Sequence, residues 1–287
     1  MSTDKNTAIV SLLAETHIHV GIGQSNGVLD LPIARERTTH YPFIPGSGVK
    51  GAFRVWAEER AGLGSRVTRL FGPGTEDGSD LHAGQLLCSD ARLLLLPVRC
   101  LSDAYKWVTC PALLSRFKRD CARASVTCGD MPIPAVAEGQ YYGPDNKDTW
   151  LGLEEREFKY AGDTSGIHPI IAKIVGTGLE GFVAQRLVVL SDTDFTWFAQ
   201  YALPVMARNA LDENKAVKRG ALWHEESLAP DTIMYVLLAE RQNNGKSPGA
   251  VADTIAAVTD NAPYIQMGGN ETIGQGWFKM TRFEGVS

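Results

Sequence analysis

The sequence lacks long hydrophobic runs, close cysteine pairs and any overall excess of positive charge. No purely aliphatic run exceeds four residues, and the run Leu93–Leu96 ends at Pro97, whereas a membrane-spanning helix needs about 20 apolar residues. The five cysteines form no C-x-x-C pair, which argues against a zinc site. Their loose spacing favours reduced thiols in a cytoplasmic protein. We therefore expect no membrane association and no disulfide framework.

The net charge of -5 at first argues against nucleic acid as a partner. Two stretches differ from that total: residues 35–70 hold seven Lys or Arg against three acids, and residues 99–123 hold six against two. Each stretch carries +4, so the remainder carries -13. Because a polyanion responds to local potential, a basic face could still bind RNA. Solvated helix faces that happen to be basic would look the same.

Hydrophobic periodicity gives a coarse α+β reading. Alternation over Val10–Val20 predicts a half-buried strand, and a long loop follows over residues 21–45. A helix is predicted from Gly46 or Ser47, with Val49, Phe53, Trp56 and Ala57 on one face. Residues 104–124 are predicted to be helical and basic. A second strand–helix–strand unit begins at Gln185, and Ser191 and Asp194 form a capping pattern ahead of its helix. The order suggests a βαββαβ, ferredoxin-like or RRM-like core. Residues 129–181, dense in Gly and Pro, read as an insertion.

The first candidate site is a glycine-rich turn that leads into a helix, spanning residues 45–51. Free N–H groups at a helix N-terminus, together with Lys50 and Arg54 one turn apart, suit a phosphate. The segment is not a P-loop, because Gly51 follows the lysine instead of Ser or Thr. A turn kept only for packing is the alternative.

Four further features could carry chemistry. The glycine-rich segment 268–277 precedes a strand and could let a backbone approach a ligand, or be a hairpin loop. Asp30, alone among apolar neighbours, could be a loop cap, a general base or a hard-metal ligand. His17 and His19 share one strand face and favour structural or RNA-stacking roles. The acids that follow Trp223 favour the interpretation of exposed charges after a strand, with a metal site or a proton-transfer site as the alternative.

Taken together, these residues resemble the RAMP superfamily of CRISPR effector complexes. The resemblance lies in His19-Val20-Gly21-Ile22-Gly23, in Asp30-Leu31-Pro32-Ile33-x-Arg35-Glu36, in Ile44-Pro45-Gly46-Ser47-Gly48-Val49-Lys50-Gly51-x-x-Arg54, and in Gly268-Gly269 through Gly274-x-Gly276-Trp277. Segments 187–192 and 220–226 are similar to the backbone-subunit branch of the type III-B (Cmr) complexes. The match spans nearly the whole chain.

The resemblance implies a single RAMP domain over residues 1–287, with an RRM-like palm and a protruding thumb hairpin, and residues 21–45 as the thumb or catalytic loop. Copies would stack along a guide crRNA beside other type III-B subunits, in the cytoplasm, and cleave complementary target RNA at regular intervals. Mg²⁺ or Mn²⁺ is expected to assist, and the ribose 2′-OH is expected to attack. A non-catalytic scaffold of a type III-A or III-B complex is the alternative. A third possibility is a monomeric guide-processing nuclease, but such enzymes usually need a histidine-centred acid–base site, and this sequence offers no convincing one.

The resemblance also assigns roles to individual residues. Asp30 is the expected catalytic residue and candidate metal ligand, with Glu225 or Glu226 as a secondary acid. The expected RNA-binding residues are His19, Gly21, Arg35, Arg37, Gly46, Ser47, Lys50, Arg54, Gly268, Gly269, Gly274 and Gly276.

Overall fold

A computed structural model describes residues 6–25, 27, 29–74, 82–144, 150–176, 178–241, 249–260 and 262–286. Over these ranges the chain forms 14 strands and seven α-helices. The strands are β1 (Thr7–Ala14), β2 (Phe43–Ile44), β3 (Leu86–Cys88), β4 (Ala91–Arg99), β5 (Tyr105–Thr109), β6 (Gln140–Tyr142), β7 (Trp150–Leu153), β8 (Arg156–Gly162), β9 (Leu187–Leu190), β10 (Val205–Leu211), β11 (Val217–Glu226), β12 (Ile233–Glu240), β13 (Tyr264–Gln266) and β14 (Trp277–Phe283). The helices are α1 (Gly46–Glu59), α2 (Arg66–Phe71), α3 (Pro111–Arg123), α4 (His168–Val175), α5 (Glu180–Arg186), α6 (Asp192–Tyr201) and α7 (Ala250–Asp260).

The centre of the molecule is an antiparallel palm with strand order β14-β1-β12-β4. With α1 after β1 and α7 after β12, this is the expected ferredoxin-like βαββαβ core. The second strand–helix–strand unit is β12–α7–β14, however, and not the segment that begins at Gln185. β9 pairs in parallel with β5 instead, so that segment extends the sheet beyond the palm.

The palm is covered on both faces, which corrects the expectation of a half-buried first strand. Val10 and Leu12 of β1 join the core formed with α1, α6 and α7. Ile9 and Leu13 face the core formed with α3, α4 and α5. β1 is also shorter than predicted and ends at Ala14, where the chain turns into the irregular segment that leads to Asp30.

Helix α1 confirms the predicted helical face, since its buried residues are Val49, Phe53, Trp56 and Ala57. Its N-cap is Pro45, and the first N–H, that of Gly46, donates to the Asp90 carboxylate at 2.6 Å. A side chain of the protein therefore already holds one of the N–H groups expected to meet a phosphate.

The middle of the chain follows the predictions only in part. The capping pair is confirmed, because Ser191 Oγ accepts from the Asp194 N–H at 3.1 Å. The basic stretch from residue 104 is a strand, β5, followed by α3. Residues 129–181 contain β6, β7, β8 and α4, and the three strands continue the main sheet beyond β9; residues 145–149 and 177 of this stretch lie outside the described ranges.

A separate two-stranded hairpin, β10–β11, projects from the sheet that the other described strands form. Its outer residues are mostly exposed, whereas its last residues, Glu225 and Glu226, are buried at the base. Residues 21–45 are irregular where described and end in β2, with isolated bridges that include Gly21 to Ile33 and Leu31 to Glu225. The long hairpin and the segment expected to be the thumb are thus different parts of the chain that meet at the hairpin base.

The cysteines differ from the expectation of reduced thiols in one pair. Cys121 and Cys128 form a disulfide, because the chain after α3 turns back on the helix end. Cys88, Cys100 and Cys110 are free. Burial raises the pKa of the Cys88 and Cys110 thiols to about 12, so both stay protonated at neutral pH.

Among the helices described, none has the length and apolar character needed to cross a membrane.

Candidate active site

Asp30 lies beside the end of β11, on a segment tied to that strand by backbone hydrogen bonds. The Leu31 N–H donates to the His224 carbonyl at 3.1 Å, and the Glu226 N–H donates to the Leu31 carbonyl at 3.0 Å. Asp30 Oδ2 accepts from the His224 N–H at 2.8 Å and lies 3.6 Å from Nδ1 of the same residue. Because both side chains are about half exposed, the carboxylate is fixed on one side and open to a ligand on the other.

Glu226 holds the segment that follows Asp30 through two hydrogen bonds. Its buried carboxylate accepts from the Ile33 N–H at 3.0 Å through Oε2 and from Arg35 Nη2 at 2.5 Å through Oε1. Arg35 also donates to the Ala199 carbonyl, so its guanidinium is held inside the protein. These contacts favour a positioning role for Glu226, and they leave Arg35 less able to bind RNA than the sequence suggested.

Glu225 is also buried, but it points toward the glycine-rich segment. Its Oε1 accepts from Asn270 Nδ2 at 2.5 Å and pairs with Arg208 Nη2 at 3.0 Å. Neither of the two acids therefore presents a free carboxylate next to Asp30. Sequence reasoning missed Asn270 and Arg208; a positive φ at Asn270 is common for asparagine in tight turns, but the sequence does not show which carboxylate it meets.

The two histidines of the segment after β1 connect the same elements. His19 is buried, its Nδ1 lies 2.7 Å from the Glu226 carbonyl, and its own carbonyl accepts from the Gly269 N–H at 2.8 Å. The His17 carbonyl accepts from the Gly276 N–H at 2.9 Å. A buried imidazole has little surface left for stacking on a base, so the structure gives His19 a structural position.

The glycine-rich segment runs so close to the segment after β1 that Gly268 has no room for a side chain. At Gly268, φ is +94° and a Cβ would lie 2.5 Å from the His19 carbonyl oxygen, whereas at Gly269 the nearest atom to a Cβ would be 3.6 Å away. We expect Gly268→Ala to lower the free energy of unfolding by about 2 kcal/mol or more, and Gly269→Ala to change it by less than about 0.5 kcal/mol. Urea denaturation of the two variants tests this, and equal losses would contradict it.

The two glycine motifs predicted from the sequence line one groove of about 260 Å³ between α1 and the glycine-rich segment. Gly48 and Gly51 form one wall and Gly268 lies in the other. At the groove, the Arg60 guanidinium lies 4.7 Å from the centre of the Trp277 ring. The structure thus brings together motifs that are more than 200 residues apart in sequence.

The expected phosphate ligands on α1 have different environments. Arg54 pairs with Glu58 and donates to the carbonyls of Gly72 and Pro73, so its charge is used within the chain. Lys50 is partly exposed and Ser47 is exposed on the same helix, as is Arg37 in the preceding segment. Lys50 is therefore the more available of the two helix cations.

A divalent cation would find few protein ligands here. Among the described residues there is no group of three or more His, Cys, Asp or Glu side chains placed to hold a metal. Asp30 offers one half-exposed carboxylate beside the His224 imidazole, while Glu225 and Glu226 are turned to other partners. This donor set fits Mg²⁺, which often takes one or two carboxylates and completes its shell with water and substrate phosphates.

Comparisons with known proteins identify the family and the fold of the chain. The RAMP superfamily model matches residues 11–279. A curated relative, the CRISPR system Cmr endoribonuclease Cmr4 of Pyrococcus furiosus, is 31% identical over 281 residues, which cover 95% of this chain and 94% of the relative. The crystal structure of oligomeric Cmr4 from the same organism superposes with a TM-score of 0.76 at 26% identity, covering 98% of this chain and 99% of that one.

A subunit in the cryo-EM structure of a type III-B Cmr-beta complex bound to cognate target RNA has the same fold. Its TM-score is 0.76 at 23% identity, with 96% of this chain and 97% of that chain covered.

Proposed function

The chain belongs to the RAMP superfamily, and we infer that it is the backbone subunit of a type III-B CRISPR effector complex and cleaves target RNA paired with the guide. The relative at 31% identity is named as the endoribonuclease of such a complex. The observation that carries the assignment to this site is the Asp30 carboxylate, fixed by the His224 N–H and half exposed at the hairpin base.

The chemistry asks little of the protein beyond alignment. The 2′-oxygen of the nucleotide beside the cut forms a bond to phosphorus as the P–O5′ bond breaks, which leaves a 2′,3′-cyclic phosphate and a 5′-OH. The 2′-OH loses its proton and the 5′-oxygen gains one, so no co-reactant is consumed. In-line placement of the 2′-oxygen supplies much of the acceleration, and a carboxylate at the reacting centre supplies proton transfer or charge stabilisation.

We propose that Asp30 is the catalytic residue of this step. The Leu31 backbone is tied to the end of β11, and the Asp30 carboxylate accepts from the His224 N–H of the same strand. The carboxylate therefore keeps its place when a displaced target nucleotide lies against it. Mg²⁺ or Mn²⁺ serves the reaction as part of this proposal: a cation held by Asp30 would stabilise negative charge on the phosphate. Among the described residues no group of three or more acids, histidines or cysteines could hold the cation, so phosphate oxygens of the RNA and water would complete its shell.

The groove between α1 and the glycine-rich segment is the proposed path of the guide. At Gly51 a Cβ would meet nothing within 4 Å, so the α1 wall is open to the close approach of a sugar–phosphate backbone. Lys50 supplies a positive charge on the same helix. Base pairing would supply the sequence specificity while the protein holds backbone and shape. Further copies of this chain and other type III-B subunits would extend the path, and an oligomeric form of the relative supports self-association. The proposed location of the protein is the cytoplasm, where guide and target RNA would meet.

Reconstitution tests this function directly. The full chain, assembled with the other complex subunits, a guide and a complementary RNA, should cut the target at regular intervals with 5′-OH and cyclic phosphate ends in the presence of Mg²⁺. EDTA should stop the cutting without releasing the guide. Guide binding without cleavage by the wild type would favour the non-catalytic scaffold, and cleavage of free precursor RNA by the isolated chain would favour guide processing.

A further inference from the structure

The side chain of Asn270 links the glycine-rich segment to the hairpin base. Its Nδ2 donates to Glu225 Oε1 at 2.5 Å and to Gln275 Oε1 at 3.0 Å. Glu225 is buried, with 3% of its surface exposed. Its Oε1 forms an ion pair with Arg208 Nη2 at 3.0 Å. A hydrogen bond from an amide to a buried, charged carboxylate is stronger than one between neutral groups, so this contact holds two chain segments together.

Each end of the link connects to an element of the proposed function. At one end, Asn270 follows Gly268 and Gly269, and its carbonyl accepts from the Ile273 and Gln275 N–H groups, so the carboxamide moves with the glycine-rich segment. At the other end, Glu225 is the next residue after His224. The His224 backbone fixes Asp30 Oδ2 through its N–H and Leu31 through its carbonyl.

The strand end cannot shift without moving Asp30. Glu225 forms the bridge to Leu31, the residue after Asp30, and the Glu226 N–H donates to the Leu31 carbonyl. A displacement of Glu225 would therefore be passed through two adjacent backbone contacts to the carboxylate. Misplacement of a reacting group by about 1 Å can cost on the order of 100-fold in rate.

We propose that Asn270 is a positioning residue for target cleavage: through Glu225 it ties the glycine-rich segment to the strand end that holds Asp30, so that the same segment that lines the guide groove sets the reactive position of the carboxylate. This inference rests on the proposed function. It assigns Asn270 no contact with the target RNA, and it gives Glu225 a place in alignment instead of in proton transfer.

The test uses single-turnover target cleavage by the reconstituted complex, with guide and target affinities measured in parallel. Asn270→Ala should lower the cleavage rate by about 10-fold to 100-fold and leave both affinities within about twofold. Asn270→Asp has nearly the same shape but places a carboxylate against Glu225, so its rate should fall at least as far.

The decisive arm combines Asn270→Asp with Glu225→Gln. The carboxylate and the amide then exchange places, and the hydrogen bond re-forms with its polarity reversed, so the rate should recover several-fold over Asn270→Asp alone. A double variant no faster than Asn270→Asp would overturn the inference. So would Asn270→Ala cleaving at the wild-type rate, or losing guide affinity by the same factor as rate.

The inference and the function fail in different ways. A wild-type complex that cuts while the Asn270 variants cut equally well removes the positioning role and leaves the endoribonuclease intact. A wild-type complex that binds guide and target without cutting removes the function itself, and this inference with it. Thermal unfolding of each chain, measured alongside, separates loss of fold from loss of alignment, because a variant that cleaves slowly at an unchanged melting temperature has lost alignment and not its fold.

Discussion

Replacing Asp30 with alanine is expected to reduce target cleavage by 10²-fold to 10⁴-fold, on the order of what a positioned acid or base contributes. The side chain is about half exposed and makes its hydrogen bond to a backbone N–H at the surface. Its removal should therefore leave folding, assembly and guide binding intact. The measurement is the single-turnover cleavage rate of the reconstituted complex with Mg²⁺, with guide and target binding assayed on the same preparations.

Two companion variants sharpen this result. Asp30→Asn keeps the shape and loses the charge, so it should fall nearly as far as alanine. Asp130→Ala removes an exposed carboxylate elsewhere on the chain and should cleave like the wild type. If Asp30→Ala cuts at the full rate, Asp30 is not the catalytic residue.

Removing the Glu226 carboxylate is expected to have the largest effect on stability. Glu226→Ala leaves the Arg35 guanidinium and the Ile33 N–H without their acceptor in a site where the two charged side chains are 3% and 18% exposed. Breaking such a pair on one side costs about 3 kcal/mol in free energy of unfolding, the lower end for a buried pair. Urea denaturation of the full chain measures the loss.

Two control variants accompany this measurement. One removes the charge of Glu226 and keeps its shape, and the other breaks an ion pair at the protein surface. Glu226→Gln keeps one acceptor oxygen for the Ile33 N–H but turns its NH2 group toward the Arg35 guanidinium, so it should lose most of the same stability, about 2 kcal/mol. Glu58→Ala breaks a surface pair with Arg54, whose side chains are 45% and 28% exposed, and should cost about 0.5 kcal/mol or less. A Glu226→Ala loss no larger than that of Glu58→Ala would show that the buried pair contributes little to the fold.

The parts of the fold that follow from local pattern were predictable. The buried face of α1 was predicted correctly because Val49, Phe53 and Trp56 are spaced three to four residues apart, which matches the 3.6-residue period of a helix. The Ser191 cap followed from its spacing to Asp194. The βαββαβ order was also predicted, although the second unit was placed too early, since β9 has the same apolar character as a palm strand and only its pairing with β5 separates them.

Elements defined by distant partners were not predictable. β1 was expected to be half buried because apolar and polar residues alternate over Val10–Val20, yet a second helical layer covers the other face. The separate hairpin β10–β11 has no internal signal that distinguishes it from a sheet strand. The Cys121–Cys128 disulfide likewise depends on how the chain returns after α3, which spacing alone does not give.

By itself, the sequence determined the family resemblance, the α+β class and the choice of Asp30 and two glycine motifs as candidates, because these depend on residue type at short range. Only the tertiary structure decided what those residues meet. In the folded chain Glu225, Glu226 and His19 are buried among structural contacts. Arg54 and the Gly46 N–H bind partners within the chain, and Asp30 stays accessible beside His224. Charges and hydrogen-bond donors are satisfied by whichever partner the fold brings near, and partners as far apart as Glu225 and Asn270 meet only when the sheet has formed.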